Sequence, residues 1–370
     1  MSRRIFSIFG PSGMIFLVLA SFTSARAEYS GSRYIPVRAR GLGNAYLPLA
    51  TDGPSALYYQ PAGISKIKRP HFELLNIQLE PNLDYSSNIT LTKPASANIY
   101  SLPSYRQYMQ ESLGSAPGFN GTLIPTISFK GFSVGMLTRA SIIGFENQDE
   151  LNYTTLYQLI PAAGFGISLA QGIVRFGIAV QYVHQAKGTN SYTIEEANNA
   201  DLGFNEGLKE GSGLSFNLGY ALNPPTMFLP QLNVVARNIG GLNHASKAIL
   251  PVSVNSIGTL ETEPMTIDSS ISVEPKIGGG AKSNVILQWN DMTNRSTTSI
   301  AQRLALGLEI DFSEFFMIRL GLGEGYPNFG FGIHRDTVEV DFAYFNLERG
   351  LGFRHTRDGR VGIQIKFRVF

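Results

Sequence analysis

From Leu156 to His184 the chain alternates apolar with small or polar side chains in two consecutive arms, joined by a tight turn at Gln171-Gly172. Tyr157, Leu159, Ala163, Phe165, Ile167 and Leu169 share one face of the first arm. Gln158, Ala162, Gly164, Gly166, Ser168 and Ala170 share the other. In the second arm Val174, Phe176, Ile178, Val180 and Tyr182 oppose Arg175, Gly177, Ala179 and Gln181. A period of two marks extended strands with two unlike faces. Each arm exceeds the roughly five or six residues of an ordinary soluble strand. An apolar outside with a small, polar inside suits a transmembrane β-barrel. Alone, the hairpin fits a soluble sandwich equally well.

The same alternation runs through most of the chain after Pro70. Leu123, Ile127 and Phe129 lead into the Lys130-Gly131 turn, and Phe132, Val134 and Met136 return from it. Leu214 to Leu222, Leu304 to Ile310, Phe316 to Leu322, Phe329 to Ile333 and Val338 to Tyr344 repeat the pattern. Short turns follow Lys130, Gln171, Leu222, Ile277, Asp311 and His334. Longer polar connections run from Lys93 to Gly118, Glu146 to Thr154, Lys187 to Gly211, Gly240 to Asp268 and Glu348 to Gly359. Short turns at one rim and long loops at the other characterise outer-membrane barrels, whereas a sandwich requires no such alternation. Six hairpins, a C-terminal strand and one long strand from His71 to about Thr92 predict roughly 14 antiparallel strands, an even number as in single-chain bacterial barrels. The fold class expected is therefore all-β, a transmembrane antiparallel barrel over residues 70–370.

Composition adds a location. Arg3 and Arg4, the apolar run Met14 to Ala20 and Ala25-Arg26-Ala27 read as an export signal over residues 1–27. No later stretch approaches the roughly 20 apolar residues of a spanning helix. Lys and Arg number 30 against 28 Asp and Glu, and removing Arg3, Arg4 and Arg26 with the signal leaves the two signs nearly balanced. No nucleic-acid footprint follows. Cys is absent, which excludes disulfides and thiolate metal sites. Residues 28–69 are rich in Gly and Pro and read as a compact, turn-rich segment ahead of the barrel. In the last strand Val361, Ile363, Ile365 and Phe367 alternate with Gly362, Gln364 and Lys366, resembling the C-terminal signal read by the barrel-assembly machinery. Phe370 falls one position out of phase with Phe367, so either Phe367 is the anchor or a bulge corrects the register.

Catalytic chemistry is not legible. His71, His184, His244, His334 and His355 are scattered without metal-ligand spacing. Gly321-Leu322-Gly323-Glu324-Gly325 follows a strand but opens no helix, and reads as a Gly-rich loop rather than a phosphate cradle. No G-x-S-x-G occurs, so a nucleophile elbow is unsupported. No enzyme, cofactor or metal is expected. The inward parity of Arg139, Arg175, Arg303, Glu309, Arg319, Glu339 and Asp341 places seven charges in the lumen, where each needs a partner or water. They pair with one another and with residues 28–69, or line a ligand path. Tyr157, Tyr182, Trp289, Phe312, Phe315 and Tyr344 lie near strand ends, as interfacial girdles do.

Ala39-Arg40-Gly41-Leu42-Gly43-Asn44-Ala45, followed by Asp52-Gly53-Pro54-Ser55-Ala56-Leu57-Tyr58-Tyr59-Gln60-Pro61-Ala62-Gly63-Ile64, resembles the N-terminal motif of the FadL/PorV superfamily of outer-membrane barrels. The family pattern runs G-x-G-x-A, then D-x-x-S-A-x-x-x-N-P-A-G, and Gln60 stands where it usually has Asn. Val340-Asp341-Phe342-Ala343-Tyr344 and Leu351-Gly352-Phe353-Arg354-His355 resemble segments of the PorV-like branch, with the basic residue before the His instead of after it. The resemblance implies a 14-stranded barrel with an N-terminal hatch, here residues 28–69, inside the lumen. Its motif residues would be Gly41, Gly43, Asn44, Asp52, Ser55, Tyr59, Gln60, Pro61, Ala62 and Gly63.

FadL-type members imply hatch-gated passive uptake of long-chain fatty acids or other hydrophobic compounds across a Gram-negative outer membrane. PorV-type members imply a role beside an envelope protein partner in secretion and surface attachment. The first expectation is transport: an apolar solute is excluded from watery pores and needs an apolar pocket above a movable stopper. Leu102, Tyr105, Tyr108 and Met109 would capture it in the outer loops. A continuous apolar pocket above the hatch favours transport, and a packed polar interior favours the partner role. The remaining partners expected are membrane lipid and, during biogenesis, the assembly machinery.

Overall fold

The computed structural model describes residues 33–83, 118–146, 150–193, 207–246, 259–277, 280–295, 298–312, 315–335, 337–348, 353–354 and 357–369. The export signal, the capture residues Leu102 to Met109, and His355 lie outside them. Fourteen antiparallel strands close into a barrel. They are β1 His71–Pro81, β2 in two ladder segments Gly118–Leu123 and Thr126–Phe129, β3 Phe132–Glu146, β4 Glu150–Leu169, β5 Val174–Thr193, β6 Lys209–Leu222 and β7 Gln231–Arg237. β8 Thr266–Val273, β9 Lys282–Trp289, β10 Leu304–Phe312, β11 Phe316–Gly323, β12 Tyr326–His334, β13 Val338–Glu348 and β14 Arg357–Val369 complete the wall. β14 pairs with β1, for instance Ile365 with Ile77, which closes the cylinder and leaves no sheet edge. No helix among the described residues is long and apolar enough to cross a membrane.

Sequence parity becomes two surfaces. Phe165, 53% exposed, and Leu218, 48% exposed, face outward with Leu169, Phe176, Ile178, Leu287, Leu322 and Phe329, while Gln158, Gln181, Asn217, Gln288 and Gln364 are buried inside. Apolar side chains gain nothing from water, so this outer belt fits lipid. Register holds without a slip from β3 to β6, where Gly135, Ala162, Gln181 and Ser215 stand in one row. β4 and β5 each run 20 residues, about twice what a bilayer requires. They therefore stand well beyond the membrane at the long-loop rim.

Two local departures have plain causes. In β2, Pro125 has no N–H to give the ladder, which interrupts it, but Thr122, Ile124 and Thr126 keep inward parity across the gap. In β1 the register with β14 shifts between Glu73 and Leu75, so Leu74 and Leu75 both face outward. The phase question at the C-terminus is answered there: the bulge lies in β1, and β14 alternates unbroken through Phe367 to Val369. β1 runs to Pro81 with Asn82 bridging Arg360, and the rest of the strand suggested as far as Thr92 lies outside the described residues. Gly321 and Gly323 belong to β11, and only Glu324-Gly325 turns, so the expected Gly-rich loop is mostly strand. The reason appears in the lumen.

Candidate functional site

Residues 33–70 lie inside the barrel. Their short elements are α1 Val37–Gly41, a 3-10 turn Leu47–Leu49, α2 Gly53–Tyr58 and a 3-10 turn Pro61–Lys66. Helices this short are not stable alone; the wall supplies their packing and their hydrogen bonds. The segment has two halves that meet the wall differently.

The second half is seated on apolar surface. Leu57, Tyr58, Ile64 and Ile67 pack with Ile124, Leu137, Ile160, Ala179 and Val183 of the wall. Backbone also meets backbone. A Cβ on Gly177 would stand 2.1 Å from Pro61 O, and one on Gly166 would stand 2.5 Å from Ser65 N. Gln60 reaches the same wall, donating from Nε2 to Tyr220 O at 3.4 Å. It does not cap the turn that follows it. Gly41 and Gly43 make the matching approach across the lumen: a Cβ on Gly321 would lie 2.2 Å from Leu42 C. Inward glycine in β5, β6, β11 and β12 thus lets the motif backbone touch the wall, which explains why β11 carries Gly where a strand would otherwise avoid it. Asn44, with φ of 71°, completes the left-handed bend begun at Gly43.

The first half adds charge to apolar contacts such as Val37 with Ala343, Phe345 and Leu347, and Ala45 with Ile286 and Ala305. Arg38 donates to both oxygens of Glu309, at 2.8 and 2.6 Å. Arg319 binds the same Glu309 at 2.8 Å and Asp341 at 2.7 Å. Lys366 Nζ lies 2.8 Å from Glu339 and 3.3 Å from Asp52. Arg368 bridges Glu339 and Glu73, at 2.6 and 3.0 Å. Arg40 meets Glu80 at 3.2 Å, and Arg33 meets Asp268 at 3.2 Å, which Arg237 also binds at 3.1 Å. Burial raises the Asp52 carboxyl, but Lys366, Arg368 and the Ser55 hydrogen bond together outweigh it and hold the group below the usual carboxylate range. Two wall glutamines serve hatch backbone: Gln288 Oε1 accepts from Tyr46 N and Leu47 N at 2.9 and 3.0 Å, and Gln364 Oε1 accepts from Val37 N at 3.2 Å. Paired and hydrogen-bonded, these charges are tolerable in a dry lumen.

Of the seven charges read from parity, Glu309, Arg319, Glu339 and Asp341 meet in this one network. Arg139 sits apart, donating to Gln158 at 3.1 Å and to Arg33 O at 3.0 Å. Arg175 is half-buried beside the Gly172 turn at the short-turn rim. Arg303 differs from expectation. Ser299 and Gln302 form a capping box, so a one-turn helix, Ile300–Arg303, precedes β10, and Arg303 donates to Asp291 O at 2.8 Å. His334 is not isolated either, because the tight turn after β12 brings it within 3.1 Å of Asp341 and 3.3 Å of Glu339. Three such groups could hold a cation, but Lys366, Arg319 and Arg368 already neutralise both carboxylates. Of the residues that sequence reasoning passed over, Lys366, Glu80, Asp268 and Gln288 occupy inward parity positions, which was the available signal, whereas Glu73 turns inward only through the bulge before Leu75.

A cavity between the N-terminal segment and the wall, lined by Arg33, Arg40, Asn120, Arg139 and Leu156, has a volume of about 10 Å³. That is room for one water. The interior described is packed, with charge concentrated around residues 33–52 and apolar clusters around Leu57, Tyr58 and Ile64.

No protein-family model matches the chain, and no curated protein is significantly similar to it in sequence. Among solved structures it is similar to the CymD monoaromatic hydrocarbon channel, over 90% of this chain and 96% of that one, at 8% identity and a TM-score of 0.49. It is also similar to the P. putida toluene transporter TodX, over 91% and 98%, at 10% identity and 0.47. A third is the translocator domain of the autotransporter NalP from Neisseria meningitidis, over 94% and 100%, at 11% identity and 0.37. Identities this low speak to none of the side chains above.

Proposed function

We propose that this chain is an outer-membrane barrel for passive entry of hydrophobic small molecules, long-chain fatty acids among them, and that the arrangement described is its closed state, with residues 28–69 as the hatch. One observation carries the reading: residues 33–52, besides their apolar contacts, are tied to the wall by several buried ion pairs, Arg38 to Glu309, Arg40 to Glu80 and Lys366 to Asp52 among them. Well-packed apolar groups of similar volume often stabilise as well as or better than a buried ion pair. Ion pairs instead suit a contact that parts and re-forms, since both partners are solvated when water enters. Opening would begin with residues 33–52, by release of Arg38 from Glu309 and Asp52 from Lys366, while Gly53 to Ile67 stays seated on β2 to β6.

The test is the initial rate of labelled fatty acid uptake into proteoliposomes, repeated with a labelled monoaromatic hydrocarbon. Rates equal to those of empty liposomes for both would reject transport. A second reading has its own support, namely the filled interior. That interior suits a barrel whose task is performed at its rims, beside an envelope protein in secretion or surface attachment. A stable complex recovered after crosslinking in the envelope, together with no uptake, would favour it.

A further inference from the structure

The short-turn rim carries one connection unlike the others. Between β6 and β7 the chain runs Asn223-Pro224-Pro225-Thr226-Met227-Phe228-Leu229-Pro230. Three prolines stiffen it, and Leu229 is held at a φ of 44°, which a bulky side chain rarely adopts. It is fastened to both neighbouring turns: Asn223 N donates to Ile173 O at 2.7 Å, and Glu274 N donates to Phe228 O at 2.8 Å. Yet Met227, Phe228 and Leu229 are 79, 54 and 49% exposed. A rigid, strained turn that holds three adjoining apolar side chains outward is preorganised for contact.

Cations lie beside it. Lys66, at the end of the Pro61–Lys66 turn, is an electrostatic neighbour of Arg175 near the start of β5 and of Glu274, and Lys276 bridges Lys282 across the β8–β9 turn. Among the described residues Glu274 and Asp311, opposite Lys282, are the acids beside them. The direction of these cations matters. Arg175 shares inward parity with Gly177, and Lys282 shares it with Ile286. Their positive charge therefore faces the mouth of the barrel and not the lipid belt, which disfavours phospholipid headgroups as its partner.

We propose that the short-turn mouth is a docking surface for an acidic segment of a soluble protein, whose carboxylates lie over the mouth while apolar side chains cover Met227, Phe228 and Leu229. Opposite charge would steer the encounter, and the apolar turn would supply the anchor.

The test uses the full chain in phosphatidylcholine nanodiscs and a labelled 20-residue peptide alternating Glu with Leu or Phe. Controls are polyglutamate, the same peptide with Lys for Glu, and empty nanodiscs. The alternating peptide should bind on the order of micromolar, weaken with salt, and lose about tenfold in affinity when Met227, Phe228 and Leu229 are all changed to Ser. Changing Arg175, Lys276 and Lys282 to Gln should flatten the salt dependence. Folding of each variant is checked by heat-modified gel mobility. No binding, or binding no better than polyglutamate and indifferent to the triple Ser variant, overturns the proposal. A second arm reads the surroundings of the turn directly, with Phe228→Trp in a Trp289→Phe background. Its fluorescence should resist quenching by brominated phosphatidylcholine; strong quenching would put the turn in lipid and overturn the proposal.

Discussion

Asp52 at the start of α2 places its Oδ2 3.3 Å from Nζ of Lys366 on the last strand, so the hatch is tied to the seam that closes the barrel. Lys366 is fully buried and also serves Glu339. Lys366→Met leaves Asp52 without its ammonium and Glu339 with Arg368 alone, and should cost about 3 kcal/mol, seen as earlier loss of the fast-migrating folded band on heating. Asp52→Asn keeps a hydrogen-bonding group and should cost less. In planar bilayers both should open more often than the parent. Equal stability and conductance in the Met variant would mean the pair does not hold the hatch.

Gly177 tests the close approach. Any Cβ there meets Pro61 O at 2.1 Å, and backbone cannot yield as a side-chain tip can. Gly177→Val should displace the Pro61–Lys66 turn at about 1–3 kcal/mol and open the bond after Lys66 to trypsin. Ala163→Val on the exposed face of β4 is the control and should change neither reading.

Leu218 tests the lipid belt. It projects from the middle of β6, exposed on the outer face. Leu218→Arg should destabilise the refolded barrel by about 2–4 kcal/mol in vesicles. If Arg were harmless there, that face would be in water, and the membrane reading would fail.

Lys66 gives a pH signature. Burial, with Arg175 beside it, pushes its ammonium down to about 8, from 10.5 in the unfolded chain. Between those values the unfolded chain binds the extra proton, so stability should rise as pH climbs from about 8 to about 10.5. Lys66→Met should remove that rise and leave the melting temperature flatter across the window. A parent curve already flat there would show the group to be well solvated.

How far the sequence reaches differs between wall and lumen. The hairpin of β4 and β5 was readable because parity is local, and a slip by one residue would turn Phe165 and Leu169 inward. The partners inside were not readable, because they join distant positions: Arg38 meets Glu309 and Val37 meets Gln364, pairs separated by 271 and 327 positions along the chain. Inward parity could name Glu309 but not its mate. Gly321 and Gly323 misled for a related reason. Gly ordinarily argues against strand, and only the presence of Leu42 and Gly43 behind β11 accounts for it. His334 looked isolated because its neighbours come together through a three-dimensional turn rather than through a ligand-like spacing.

The link from Asp52 through Lys366 and Arg368 to Glu73 joins the hatch, the last strand and the first. Seating of residues 33–52 and closure of β1 on β14 therefore share the same charges. Excising the segment would take Arg33, Arg38 and Arg40 from Asp268, Glu309 and Glu80; Arg237 and Arg319 would still serve Asp268 and Glu309, but Glu80 would lose its guanidinium, so the emptied barrel would have a strained wall rather than a clean hole.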